Sequence, residues 1–190
     1  MAIRIYSHQL EHAEKALAGI KNGAKIAAMN AINRAMSAGR TAAMNDAAKN
    51  YTVKQKSVAQ TIKMSKARVD SLQASIRSRG KAIKLIDFQT NPSRPQKKRP
   101  DVLKANVLRS SGFQPIKGAF VAASKKTGKL GVFIRMTKAQ YPLQQLYGPS
   151  IPEILGTKTV AESVESRAQE VLGDRFNHEI GRLLRKSMGR

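Results

Sequence analysis

The first third of the chain carries apolar residues at the three- and four-residue spacing of a helix face. The stripe runs Leu10, Ala13, Leu17, Ile20, Ala24, Ala27, Ala31, Ala35, Ala38 and Ala42, with Ser7 placed ahead of it as an N-cap. It predicts one helix to about Lys49, roughly 60 Å long at 1.5 Å per residue. Most of the stripe is Ala, and Gly19, Gly23 and Gly39 lie inside it, each costing about 1 kcal/mol relative to Ala. So many small residues suit close approach to another helix. Ile26, Met29, Ile32 and Met36 form a second, bulkier stripe. The helix is therefore either a plain core helix or one covered on two sides by subunits of an oligomer.

Asn50 and Tyr51 interrupt this pattern, and Thr52 opens a shorter helix through Val53, Val58 and Ile62 to about Lys66. The period then changes to alternation. Val69, Leu72, Ala74 and Ile76 precede Ser78-Arg79-Gly80, and Ile83, Leu85, Ile86 and Phe88 follow it, which reads as a hairpin. Residues 91–100, NPSRPQKKRP, hold three Pro and form a loop. Further strands are predicted at Val102–Arg109, Ala119–Ala123 and Gly131–Met136, the last two joined by a turn at Lys125–Lys129. Residues 141–156, YPLQQLYGPSIPEILG, mix Pro and Gly with Tyr, Leu and Ile, a composition that docks on something. Thr159 and Glu162 have the spacing of a capping box for a last helix bearing Val160, Val164, Ala168, Val171, Leu172, Phe176, Ile180, Leu183 and Leu184.

The order helix, helix, sheet, helix predicts an α+β fold: a long N-terminal helix and a second helix, a small antiparallel sheet of four to five strands, and a long C-terminal helix. One domain over 1–190 is expected. Its parts are a helical segment 1–66, a sheet segment 67–140 containing the basic loop 91–100, a docking loop 141–158 and a final helix 159–188.

Composition changes this picture chiefly through charge. Lys and Arg number 35 against 12 Asp and Glu in 190 residues, a formal charge of +23. The excess is uneven: −1 over residues 1–14, +16 over 15–100, +7 over 101–152 and +1 over 153–190. A body so cationic over its first three-quarters is expected to live beside a polyanion. Apolar residues at 41% exclude a purely disordered basic tail. The absence of Cys removes disulfides, Cys-based metal centres and a thiol nucleophile. No apolar run long enough for a signal peptide or a spanning helix is present, so cytoplasmic synthesis or assembly is expected, with no membrane partner.

Candidate chemistry is sparse. No Walker loop, GxGxxG, GxSxG, HExxH or paired-Cys motif occurs. His8 and His12 share a helix face at i, i+4, but no third ligand accompanies them, and they read as a solvated pair. Carboxylates before residue 153 are too few for two-metal nuclease chemistry. No catalytic residue, cofactor, metal site or small-molecule substrate is therefore expected. Arg94, Lys97, Lys98 and Arg99 form the sharpest basic cluster, suited to phosphate contact. With no Trp and 5% aromatics, nucleic-acid contact is expected to be electrostatic and sequence-neutral. Two functions follow from the residues: a nucleoid- or ribosome-associated module binding DNA or RNA, or a structural assembly protein whose surfaces face DNA or acidic partners.

At Leu146-Tyr147-Gly148-Pro149-Ser150-Ile151-Pro152 the chain resembles the minor tail protein Z family of long-tailed bacteriophages and prophages. Ala31-Ile32-Asn33-Arg34 with Arg40-Thr41-Ala42-Ala43 resembles the family's first helix, and Tyr51-Thr52-Val53-Lys54 the start of its second. Gly118-Ala119-Phe120-Val121, Phe133 and Arg135 resemble its strand pair. The resemblance covers roughly residues 25–185. It implies a non-enzymatic virion protein that completes the head-proximal end of the tail tube and makes it competent for head–tail joining. It further implies a homo-oligomeric ring, sixfold to match the tube, beside tail tube, tail terminator or connector proteins and near genome DNA. On that basis Arg94, Lys97, Lys98 and Arg99 are expected to face the lumen or DNA end. Tyr147, Pro149, Ile151 and Pro152 are expected to dock on a neighbour, or else to pack on their own sheet.

Overall fold

A computed structural model describes residues 2–3, 7–97, 102–124 and 128–189, and their contacts divide the chain into two compact units. The first comprises residues 1–44, 62–78 and 156–190, the second residues 45–61 and 79–155. Among the described residues, five helices and eleven short strands make an α+β arrangement, with all strand pairs antiparallel.

In the first unit, α1 (Ser7–Ala16) and α2 (Gly23–Asn50, which continues into the second unit) replace the single N-terminal helix expected from the stripe. The break spans 17–22, where Asn22 has φ 56° and the Gly23 N–H bonds the Ile20 carbonyl at 2.8 Å. A Cβ on Gly23 would stand 3.0 Å from the Cβ atoms of both Leu17 and Ile20. Gly19 and Gly23, which looked like tolerated defects in a helix, thus belong to a tight turn and its exit.

Helix α2 runs antiparallel to α5 (Lys158–Ser187), as the approaches Gly39 to Ala168 and Asn30 to Glu179 require. A Cβ on Gly39 would lie 3.4 Å from the Ala168 Cβ, so a flat, small-residue ridge meets a small residue opposite. The buried positions of α2 are Gly23, Ala24, Ala27, Ala28, Ala31, Ile32, Ala35, Met36, Gly39, Ala43 and Ala47. Towards its end Gly39 and Ala43 are buried and the stripe residues Ala38 and Ala42 beside them are half-buried. Over 24–36 the core alternative holds. Both stripes are buried or half-buried against Ala67, Ala74, Ala168, Leu172 and Phe176 of the same unit.

The predicted second helix stops early: α3 (Gln55–Thr61) gives way to β2 (Ile62–Ser65). β2 pairs with β3 (Ala74–Ser78), which also pairs with β1 (Ala2–Ile3). The hairpin expected about Ser78-Arg79-Gly80 is therefore not formed, because β3 already has neighbours on both edges. The segment between β2 and β3 is held instead by Asn33, whose amide donates to the Ala67 carbonyl at 3.1 Å and accepts the Ala67 N–H at 2.8 Å.

The second unit contains α3 and three small sheets rather than one of four or five strands. One sheet has the order β5 (Gln89–Asn91), β6 (Val102–Asn106), β7 (Gln114–Lys117). Another has the order β10 (Leu143–Gln145), β9 (Leu130–Arg135), β8 (Ala119–Ala123). The third pairs β4 (Ala82–Lys84) with β11 (Tyr147–Ser150). Leu146 joins two of them, donating to the Val132 carbonyl at 2.8 Å and accepting the Leu85 N–H at 3.1 Å. Leu103, Ala105, Val121, Val132, Leu85 and Phe88 are among its buried residues.

The end of α2 is fastened within this second unit. Buried Thr52 donates its N–H to the Val107 carbonyl at 3.0 Å and its hydroxyl to the Asn106 carbonyl. The Arg109 Nε–H reaches the Ala48 and Tyr51 carbonyls at 3.0 and 3.2 Å, satisfying acceptors that a helix end leaves open.

Helix α5 begins at Lys158 with Thr157 at the N-cap position, so Thr159 and Glu162 do not form the expected capping box. Glu162 instead lies 3.9 Å from Lys158, one turn away. The apolar face of α5 is as expected from its spacing, with Val160, Val164, Ala168, Leu172, Phe176 and Leu183 buried.

Candidate functional site

The segment Leu146–Glu153 is a strand that turns directly into a helix. β11 is irregular between Tyr147 and Ser150, opposite Lys84 and Ala82, and α4 (Ile151–Gly156) follows at once. Ser150 and Glu153 cap this helix reciprocally: the Ser150 N–H donates to Glu153 Oε2 at 2.7 Å, and the Glu153 N–H donates to Ser150 Oγ at 3.3 Å. Hydrogen bonding to Ser150, first through its backbone N–H and then through its hydroxyl, holds the Glu153 carboxyl below its ordinary value, outweighing desolvation. Pro152 sits in the first turn, where a missing N–H leaves no helical bond unmade.

Gly148 serves the same turn differently. A Cβ there would lie 2.6 Å from Cε2 of the buried Phe88 ring, so the ring rests against bare backbone. The residues proposed from sequence for docking differ in exposure. Tyr147 is 52% exposed, with its hydroxyl 3.2 Å from Gln145 Oε1, while Pro149 and Pro152 are half-buried. Ile151 is 2% exposed and packed inside its unit. Met136, Tyr141 and Phe113 join Tyr147 as exposed large apolar residues of the second unit. Nothing in their spacing singled them out, because single exposed apolar positions carry no periodic signal.

The basic loop connects β5 to β6. Arg94 and Lys97 are exposed, whereas Lys98 and Arg99 lie outside the described residues. Strand register adds two cations that the loop's own sequence did not indicate. Lys104 pairs with Asn91 at the root of the loop, and Lys117 pairs with Val102, two residues before Lys104. Side chains two apart on a strand share a face, so Lys104 and Lys117 stand on one face, opposite the buried Leu103 and Ala105. The signal was present only as an alternation whose partner strand, β7, had not been recognised.

The side chains of His8 and His12 lie outside the described residues. Among the described residues no group of three His, Asp or Glu side chains is placed to hold a metal, and no helix is long and apolar enough to cross a membrane. In the first unit Glu179 is the most engaged carboxylate. Burial opposes its charge, but hydrogen bonds from Arg182 and Asn30, with the positive charges of Arg182 and His178, hold it below its ordinary value.

The exposed basic loop, the Lys104/Lys117 face and the capped turn are features of a protein built around contacts, and in class the chain is a structural component of phage tails. It belongs to the family described as prophage minor tail protein Z, whose model matches residues 8–190. No curated protein and no solved structure matches it.

Proposed function

We propose that this protein acts without catalysis to complete the head-proximal end of a phage tail tube and make it competent for joining to a filled head. The observation that carries the reading is the family match over essentially the whole chain. In this reading it is a subunit of a sixfold ring, assembled in the host cytoplasm and retained in the virion. Its neighbours are tube, terminator or connector proteins.

A ring subunit needs two different surfaces. The loop with Arg94, Lys97, Lys98 and Arg99, extended by Lys104 and Lys117, supplies a cationic one suited to genome DNA by backbone proximity. Exposed Tyr147, flanked by Pro149 and Pro152, supplies an apolar one, with buried Ile151 anchoring the turn that presents it. Tails assembled without the protein are expected to be tubes that fail to join heads. Replacing Arg94, Lys97, Lys98 and Arg99 by Ser is expected to leave thermal melting unchanged while virions join or deliver DNA poorly. Normal infectivity of those virions would reject the lumen placement.

The shared face of Lys104 and Lys117 also supports a second reading, a sequence-neutral nucleic-acid binder. Titration with random duplex DNA at several salt concentrations separates the two. A monomer of sub-micromolar affinity with a steep salt slope favours the second.

A further inference from the structure

The second unit has a groove of about 740 Å³ that no described residue of the basic loop lines and that the signature stretch lines through Ile151 alone. Helix α3 with the residues before it forms one wall, through Lys54, Ser57 and Thr61. The other wall is the continuous run Gly80 to Lys84. Successive strand side chains point to opposite faces, so a lining by consecutive residues of β4 is what a groove along the strand's backbone edge gives. β4 is hydrogen-bonded to β11 alone, which leaves that edge without a partner strand among the described residues. One end of the groove is closed where the Arg79 N–H bonds the Thr61 carbonyl at 3.2 Å.

Its lining is of two kinds. Half-buried Ile83 and Ile86, over buried Val53 and Ile151, make it apolar, and Lys54, Lys81 and Lys84 line it against one acid among the described residues, Asp87. None of these lysines forms an ion pair among the described residues. A nucleic-acid backbone would leave the apolar lining unfilled. Among the described residues the one aromatic ring lining the groove, Phe88, is buried and cannot stack on a base. An extended peptide answers both features, with main-chain bonds to the strand edge, apolar side chains inward and acidic ones toward the lysines.

We propose that the groove between α3 and β4 receives an extended segment of another protein, alternating acidic and apolar, that adds to β4 as a new strand. This concerns the groove alone and does not depend on the tail-completion reading.

The test uses the whole protein and a pool of short fluorescein-labelled peptides in which Asp or Glu alternates with Val, Ile or Leu, read by anisotropy. Members of the pool are expected to bind, with affinity falling as salt rises. Lys54 and Lys81 are exposed. The variant Lys54→Ser/Lys81→Ser, with an unchanged melting curve, is expected to lose at least about tenfold in affinity. N-methylation of alternate peptide nitrogens on the pairing side is expected to abolish binding, whereas methylation on the other side leaves it intact. Absence of binding by any peptide, equal binding by the variant, or indifference to which side is methylated would overturn the proposal. So would random duplex DNA that displaces bound peptide and itself loses affinity for the variant, since the groove would then be a nucleic-acid site.

Discussion

Ser150 and Glu153 cap one another across the first turn of α4, with the Ser150 N–H 2.7 Å from the Glu153 carboxylate and the Glu153 N–H 3.3 Å from the Ser150 hydroxyl. The stretch that carries the family resemblance is therefore, at its end, a helix start. Ser150→Ala is expected to lower stability by about 1 kcal/mol, as loss of an N-cap does, measured by urea denaturation.

The same pair sets an acid dependence. Because the Glu153 carboxyl is held below 4.5, the stabilisation is present above that pH and is lost as pH falls through the lower folded-state value. Glu153→Gln is expected to flatten this part of the acid limb. An acid limb unchanged in the variant would show that Glu153 titrates alike in folded and unfolded chains.

Gly148 and Phe88 are in conflict as soon as either side gains an atom. Gly148→Ala is expected to cost about 1–3 kcal/mol, since its Cβ would stand 2.6 Å from the buried Phe88 ring and force it to shift. Combining it with Phe88→Leu is expected to cost less than the two single changes together, which a double-mutant cycle of melting temperatures measures.

Asn33 holds Ala67 by both its donor and its acceptor. Asn33→Ala is expected to cost about 2 kcal/mol, and Asn33→Asp to be destabilising as well, because it keeps the acceptor but loses the amide donor. Hydrogen exchange is expected to rise at the Ala67 amide before it rises in α5.

Asn30 and Arg182 converge on Glu179. Asn30→Ala removes one of the contacts that favour the charged form and is expected to move the Glu179 carboxyl upward toward its ordinary value, as followed by NMR titration. The stability lost is present at neutral pH and disappears on acidification, the sign required of a depressed carboxylate.

What could be read from the chain was local and periodic. β8 has the expected bounds, β9 begins and ends one residue earlier than expected, and the buried residues of α5 are those of its 3–4 spacing. The misreadings have one cause. The turn 17–22, with Asn22 at positive φ, divides a helix that the apolar stripe would continue, and it packs Leu17 and Ile20 against Gly23 at the start of α2. β3 looked like half of a hairpin with β4, yet β3 is filled by β1 and β2, and β4 pairs with β11 more than sixty residues later. Short strands of three to five residues carry too little pattern to name their partners. The same holds for the site: the basic loop was visible as composition, but Lys104 and Lys117 joined its face only through register.

The sequence by itself determined the α+β order, the apolar face of α5, the cationic character of residues 15–152 and the resemblance through which the family is recognised, all properties of neighbouring residues. Only the tertiary structure decided which strands pair, that Ile151 turns inward while Tyr147 stays exposed, and that three lysines line an apolar groove beside a strand edge with no partner strand among the described residues. Those depend on hydrogen bonds and packing between segments far apart in the chain, and no local period encodes them.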